Sequence, residues 1–217
     1  MNQAAIIARV HESVDEIACE DWNRLWAEQP APTPFMRHEY LRALEASGSA
    51  SVQTGWQPAH LALRNQQSEL VAVCPVSPPT HSCGGHVFDW AWAKGYDQQS
   101  VGSSPKALGA VPFTPVPGTR LMAKSPALRE QLLRVLQQWC STQGLSSAHL
   151  LFADPTDLDA AQALGWMQRQ TVQFHWQAGA GGQHERPRDL EALLQTLTQE
   201  KRKKIRQERR KVADAGV

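Results

Sequence analysis

The sequence predicts a mixed α/β domain, a sheet flanked by helices, that ends in a long basic helix. Three observations carry this expectation. Short β-patterned runs alternate with helical stripes, and a hydrophobic fraction of 41% over 217 residues supplies a sizeable core. The last eighteen residues then turn abruptly basic, with eight Lys or Arg against three acids. The rest of the chain is mildly acidic, so the formal net charge of +1 hides an asymmetry that suits a polyanionic partner.

The elements follow in order. Ile6 to Ser13 reads as a short strand, and Ser13 or Asp15 caps a helix to Trp26 whose Ile17, Trp22, Leu25 and Trp26 share one face. Pro30, Pro32 and Pro34 break the chain before a second helix over His38–Ala46, ended by Ser47-Gly48. His60–Arg64 and Leu70–Val76 form a hairpin across the polar Asn65–Glu69 turn, and Pro75, Pro78 and Pro79 make its end an edge or an exit. From His81 to Arg120 periodicity is poor. Trp, Gly and Pro gather there in Phe88-Asp-Trp-Ala-Trp92 and Val111-Pro-Phe-Thr-Pro-Val116, a proline-stiffened aromatic segment suited to a binding cleft.

Periodic structure returns at Ser125-Pro126, which opens a helix striped by Leu128, Leu132, Leu133, Leu136 and Trp139 and closed by Gly144. A strand over Ala148–Phe152, a short helix over Asp154–Leu164 and an alternating strand over Met167–Trp176 are expected next. Gly179–Gly182 reads as a hinge dividing residues 1–182 from 183–217. Beyond it a helix from about Arg188 to Ala215 would span on the order of 40 Å.

Several function classes drop out. No run approaches the roughly 18–20 apolar residues of a membrane span, and the N-terminus lacks a basic start followed by a long apolar stretch. Cys19, Cys74, Cys83 and Cys140 lack CxxC spacing, so a reducing, cytoplasmic setting is expected. His81-Ser-Cys83-Gly-Gly-His86 could begin a metal site, but no second cluster completes four ligands, and no metal is expected. Neither a GxSxG elbow nor a GxxxxGK[ST] phosphate loop is present.

Two residues stand out for acid–base work. Asp89, between Phe88 and Trp90, would have its pKa raised by desolvation if it faces the aromatics; the alternative is a solvent-facing Asp on an alternating strand. His175 lies with Gln173 on one face of its strand, opposite Phe174 and Trp176, where it lines a cleft or serves as a satisfied structural imidazole. Lys201, Arg202, Lys203, Lys204, Arg206, Arg209, Arg210 and Lys211 would contact phosphate backbone or form a solvated face; no aromatic interleaves them to stack bases.

Pro34–Glu45, Gly55-Trp-Gln-Pro58, His81-Ser with Val87–Ala93, Pro105-Lys106 with Val111–Val116, Val172–Trp176 and Lys201–Arg210 occur here in an order that resembles the FemAB-like proteins of the GNAT superfamily, described as peptidoglycan biosynthesis or recognition proteins. The resemblance covers nearly the whole chain and implies a GNAT-like sheet flanked by helices. It implies N-acyl transfer, with acyl-CoA or an aminoacyl-tRNA as donor, no covalently bound cofactor, and an amine-bearing small molecule or peptidoglycan precursor as acceptor. On that reading Asp89 and His175 are catalytic, while Trp90, Trp92, Tyr96, Lys106, Phe113 and Thr114 bind substrate. The basic run from Lys201 to Lys211 would face tRNA or a second GNAT-like domain, which would begin where this sequence stops at Val217. The sequence departs from the family where Cys83-Gly-Gly-His86 and Ser103-Ser104 replace aromatic, acidic or tyrosine residues, and no [QR]xxGx[GA] loop is recognisable. A non-catalytic module that binds a peptidoglycan precursor, RNA or a partner protein is the alternative.

Overall fold

The two apolar runs near residues 60 and 70 become neighbouring strands. In the computed structural model, which describes residues 5–78, 106–174 and 187–216, β2 (His60–Arg64) pairs antiparallel with β3 (Leu70–Cys74). β1 (Ile7–His11) flanks β2, and a two-residue strand further along the chain, Met122–Ala123, flanks β3. A second sheet holds β4 (Val76–Ser77), β5 (Lys106–Gly109) and β7 (Ser147–Leu150), the Met122–Ala123 strand being β6. Here β4–β5 is antiparallel and β5–β7 parallel.

Residues 70–77 therefore serve both sheets. Pro75 marks the change-over, where a residue with no N–H to donate costs no ladder bond. The neighbouring chain follows the switch, since the Ala59 N–H donates to the Val76 carbonyl at 2.8 Å. Gly109 permits the close approach of β7: a Cβ there would lie 2.5 Å from Leu150 Cδ2.

Helices cover both faces of the first sheet. Alternation sends Ala62 toward α1 (Cys19–Ala27) and α2 (His38–Ala46), where Trp22, Leu25 and Leu41 pack, while Leu61 and Leu63 meet α3 (Pro126–Thr142) and α4 (Pro155–Ala163) through Leu132, Leu133 and Leu136. The expected caps are in place: Ser125 accepts from Leu128 N–H ahead of Pro126, and Asp154 accepts from Thr156 and Asp157 N–H. Contacts divide the chain into two compact units, residues 1–168 with β1–β7 and α1–α4, and residues 169–217.

Three expectations are corrected. α1 begins at Cys19 because Ser13 instead caps a single 3-10 turn over Val14–Glu16. Residues 167–174 form no strand, and Met167, Val172 and Phe174 are exposed; alternation makes a strand only where a partner edge completes the ladder. The expected 188–215 helix is two helices, α5 (Leu190–Gln195) and α6 (Gln199–Asp214). The Thr196 hydroxyl donates to the Leu193 carbonyl at 2.7 Å, and Thr198 Oγ1 then accepts from Lys201 N–H, so threonines end one helix and cap the next. The Gly179–Gly182 hinge lies outside the described residues.

A buried polar network holds the segment after β5 in place. Asp157 of α4 is wholly buried and accepts the Arg120 N–H at 2.5 Å and the Leu121 N–H at 3.2 Å through one oxygen. Its other oxygen faces Arg129 Nε at 3.1 Å. Arg129 continues to the Leu121 carbonyl and to Gln29 Oε1, and Gln29 accepts Ala123 N–H. The Arg120 guanidinium donates to the carbonyls of Val116, Gly118 and Leu151. Burial and the nearby Asp154 push the Asp157 carboxyl up to about 6, against the pull of the Arg120 and Leu121 amides and Arg129. Breaking such a pair leaves an uncompensated buried guanidinium and two orphaned amides. Asp157→Ala is expected to cost about 3–5 kcal/mol in urea unfolding; a loss under about 1 kcal/mol, the size of an exposed ion pair, would contradict this role.

Candidate functional site

The inner face of α2 is not uniformly apolar. His38, Leu41, Leu44 and Glu45 recur at helical spacing and turn inward together, so a carboxylate enters the space beside β2. There Leu41, Leu44 and Glu45, the 56–60 lead into β2, Pro75 and Ser77 at the sheet change-over, and Ala110 and Pro112 after β5 line a small hollow of about 10 Å³, open to solvent.

Its polar feature is an ion-pair geometry. His60 Nε2 lies 2.7 Å from Glu45 Oε1, with side chains only 5% and 12% exposed. Glu45 Oε2 accepts the Ser13 hydroxyl at 2.8 Å and the Val14 N–H at 3.0 Å. Burial pushes the Glu45 carboxyl up, but the His60 bond and charge, with Ser13 and Val14, outweigh it and hold it below its ordinary value. An ionised carboxylate only accepts, so Nε2 carries the proton in this pair. That leaves His60 Nδ1 as the second ring nitrogen, buried and without a hydrogen-bond partner. Trp22 stands edge-on to the ring at 5.7 Å and is itself fixed by donating to the Met36 carbonyl at 2.8 Å.

On the rim, Phe113 is exposed with φ +57° and lies 5.5 Å from Trp56. A bulky residue in the left-handed region is uncommon and occurs where surrounding structure dictates it, often at binding sites. Thr114 Oγ1 donates to the Pro112 carbonyl at 2.9 Å and so accepts from the Tyr40 hydroxyl at 3.0 Å. Of the residues expected to bind substrate, Phe113 and Thr114 thus come together beside the hollow. Lys106 is at the start of β5, opposite Ser147 in register and half-buried. Asp89, Trp90, Trp92, Tyr96 and His175 lie outside the described residues, as do His81, Cys83 and His86. In α6 Lys201, Lys203, Lys204, Arg206, Arg209, Arg210 and Lys211 are exposed and Arg202 is half-buried.

Sequence reasoning missed Glu45, Trp56 and His60. A signal existed for one of them: a carboxylate on the Leu41–Leu44 stripe is out of place on a purely packing face. His60 opens a strand whose next three residues are all buried. Among the described residues no group of three His, Cys, Asp or Glu side chains could hold a metal ion, and no helix is long and apolar enough to cross a membrane.

Residues 13–217 match the family model for FemAB-like proteins of peptidoglycan biosynthesis or recognition. No curated protein matches the chain. Among solved structures, the aminoglycoside antibiotic 6'-N-acetyltransferase of Acinetobacter baumannii is 13% identical, over 81% of this chain and 100% of that one, with a TM-score of 0.44. The glucosamine-6-phosphate N-acetyltransferase of Arabidopsis thaliana is 11% identical, over 80% and 98%, also at 0.44. These likenesses are distant, and kinship rests on the family match.

The buried pair has a pH signature. Because the folded-state Glu45 pKa lies below 4.5, its contribution to stability is present above that pH and is lost as the pH falls through the depressed value. The stability of the native protein is therefore expected to fall as the pH drops through the depressed Glu45 value, and Glu45→Gln to make that fall shallower. Parallel curves for both proteins in denaturant melts would show that the pair is not linked to folding.

Proposed function

The chain belongs to the FemAB-like family, and on that premise we propose that it works in N-acyl transfer. An acyl or aminoacyl group would pass from a coenzyme A thioester or an aminoacyl-tRNA ester to the amine of a small acceptor, a peptidoglycan precursor being the class the family description favours. The observation that carries this reading is the hollow where residues 70–77 change sheets. It joins an apolar wall to one buried carboxylate, and among the described residues neither Lys nor Arg lines it, a composition that attracts a cationic amine. Attack on an acyl carbonyl needs a neutral amine and donors for the developing oxyanion.

In this reading Phe113, Thr114 and Trp56 flank the acceptor. Asp89, His175, Trp90, Trp92, Tyr96 and Lys106 enter as acid–base and substrate-binding groups on their sequence resemblance alone. The test is transfer of radiolabelled acyl groups from coenzyme A or charged tRNA to amine acceptors by the full-length protein. Asp89→Ala and His175→Ala are expected to lower kcat/KM by about 100-fold or more, and Phe113→Ala by about tenfold through weaker acceptor binding. Unchanged transfer in all three would remove these assignments.

A second reading concerns α6, whose sixteen residues include eight Lys or Arg and none that is buried. The ion pairs Arg206–Glu191 and Lys204–Glu208 are exposed, so they neutralise little of this charge. Contact with the phosphates of a tRNA donor fits such a helix, and so does an acidic face of a partner domain. Replacing Lys203, Lys204, Arg206 and Arg210 with Gln is expected to reduce the slope of log K against log salt for RNA binding by about three; superimposable curves would mark the charges as merely solubilising.

A further inference from the structure

We propose that Lys106, Ser147 and His149, which share one face of the second sheet, form a subsite for a phosphate group carried by a substrate. The subsite goes beyond the transfer reading and does not depend on it; only the part it plays in transfer rests on that reading. Register places the three together. In the parallel β5–β7 pair Lys106 is opposite Ser147 and Leu108 is opposite His149, and alternation turns residues two apart to the same side. Ala107, Ala148 and Leu150 take the other face and pack into the main core with Leu132, Leu133 and Leu136 of α3.

The face that holds the trio changes character along its length. At one end Leu108, Ala110 and Leu151 pack with Ala50 and Trp56. Toward the other end the row becomes Lys106, Ser147 and His149, each half-buried, where strand preference alone would place apolar or β-branched residues. Ser147 Oγ lies 2.9 Å from His149 Nε2, so hydroxyl and imidazole are already coupled, and Lys106 stands on the adjacent strand about 4.8 Å away. β4, β5 and β7 contain no Asp or Glu, so these strands bring only a cation, an imidazole and hydroxyls to the polar part of this face.

Binding is non-covalent and each group has a part in it. Lys106 supplies a compact ammonium charge, the form in which lysine binds phosphate. With its proton on Nε2, His149 donates to Ser147 Oγ, and the serine hydroxyl is then turned to donate to a phosphate oxygen. A carboxylate offers fewer acceptor oxygens and less charge, so the same donors hold it more weakly. Ala110, four residues beyond Lys106 and within about 13 Å of it along the chain, lines the hollow. A substrate of that reach would keep its phosphate at the trio while its reacting end lies at the hollow.

The test uses inorganic pyrophosphate as probe on the full-length protein at physiological ionic strength, with affinity from calorimetry and location from 15N-histidine correlation spectra. The His149 resonance, assigned by its loss in His149→Gln, is expected to shift saturably with pyrophosphate and to stay in place with acetate. Lys106→Gln should weaken binding at least about tenfold and Ser147→Ala about fivefold, the worth of a charged and of a neutral hydrogen bond. Replacing Lys203, Lys204, Arg206 and Arg210 with Gln should keep most of the affinity, which separates the subsite from non-specific attraction to α6. Coenzyme A and 6-aminohexyl phosphate, as competitors of pyrophosphate, distinguish the sources: the stronger competitor assigns the phosphate to the acyl donor or to the amine acceptor. A wild-type His149 signal indifferent to pyrophosphate, or equally responsive to acetate, would overturn the proposal whether or not the variants fold. So would affinity lost in the α6 variant and kept in Lys106→Gln. Acyl transfer with a silent His149 would remove the subsite and leave the transfer reading intact. A responsive His149 without transfer would support the subsite and contradict the transfer reading.

Discussion

One carboxylate fixes the path of the chain that everything around the hollow depends on. Asp157 reaches from α4 into the space behind β6 and takes two successive backbone amides, at Arg120 and Leu121. With Arg129 and Gln29 it ties α3, α4 and the end of α1 to a segment that has only a two-residue strand of its own. Local propensity cannot place such a segment. The alternatives to this network are several unpaired buried amides and guanidinium groups, each costing about 1–3 kcal/mol or more, so the segment has one acceptable course. Residues 110–114, of which Ala110 and Pro112 line the hollow and Phe113 adopts a left-handed φ, are anchored at their far end by that course.

Two classes of ion pair coexist in this molecule and differ in consequence. Arg24–Asp21 and Arg37–Glu39 lie at the surface, where solvent screens them and their contribution is about 0–1 kcal/mol. Glu45–His60 and Asp157–Arg129 are buried, and removing one partner strands a charge. In the second, Asp157 Oδ2 takes two backbone amides and Arg129 reaches the Leu121 carbonyl and Gln29, so the pair is structural. The first lies on the wall of the hollow.

Where the determinants were local, the sequence was readable. α2, α3, α4 and the β2–β3 hairpin announce themselves through Pro and Ser or Asp at helix starts, leucine stripes, and a polar turn between two apolar runs. Where a distant group intervened, it was not. Ser13 looks like the cap of a long helix, yet its hydroxyl goes to Glu45 thirty-two positions away and the helix starts later. β4 and β6 have two residues each, too few to show a period. The pairing of Glu45 with His60 joins a helix to a strand fifteen residues on and obeys no spacing rule; only the misplaced polarity of Glu45 on an inward face pointed to it. The irregular course of residues 110–116 was legible because proline-stiffened aromatic segments resist regular structure, and the left-handed φ of Phe113 is the structural counterpart of that signal.

The central claim is that the space beside Pro75 receives an amine. Photo-crosslinking with a short alkylamine carrying a diazirine, followed by peptide mapping, tests it most directly. Labelling confined to residues 41–60 and 110–114, and displaced by unlabelled n-butylamine, is the predicted result. Label spread over the surface, or concentrated elsewhere in the chain, would contradict it.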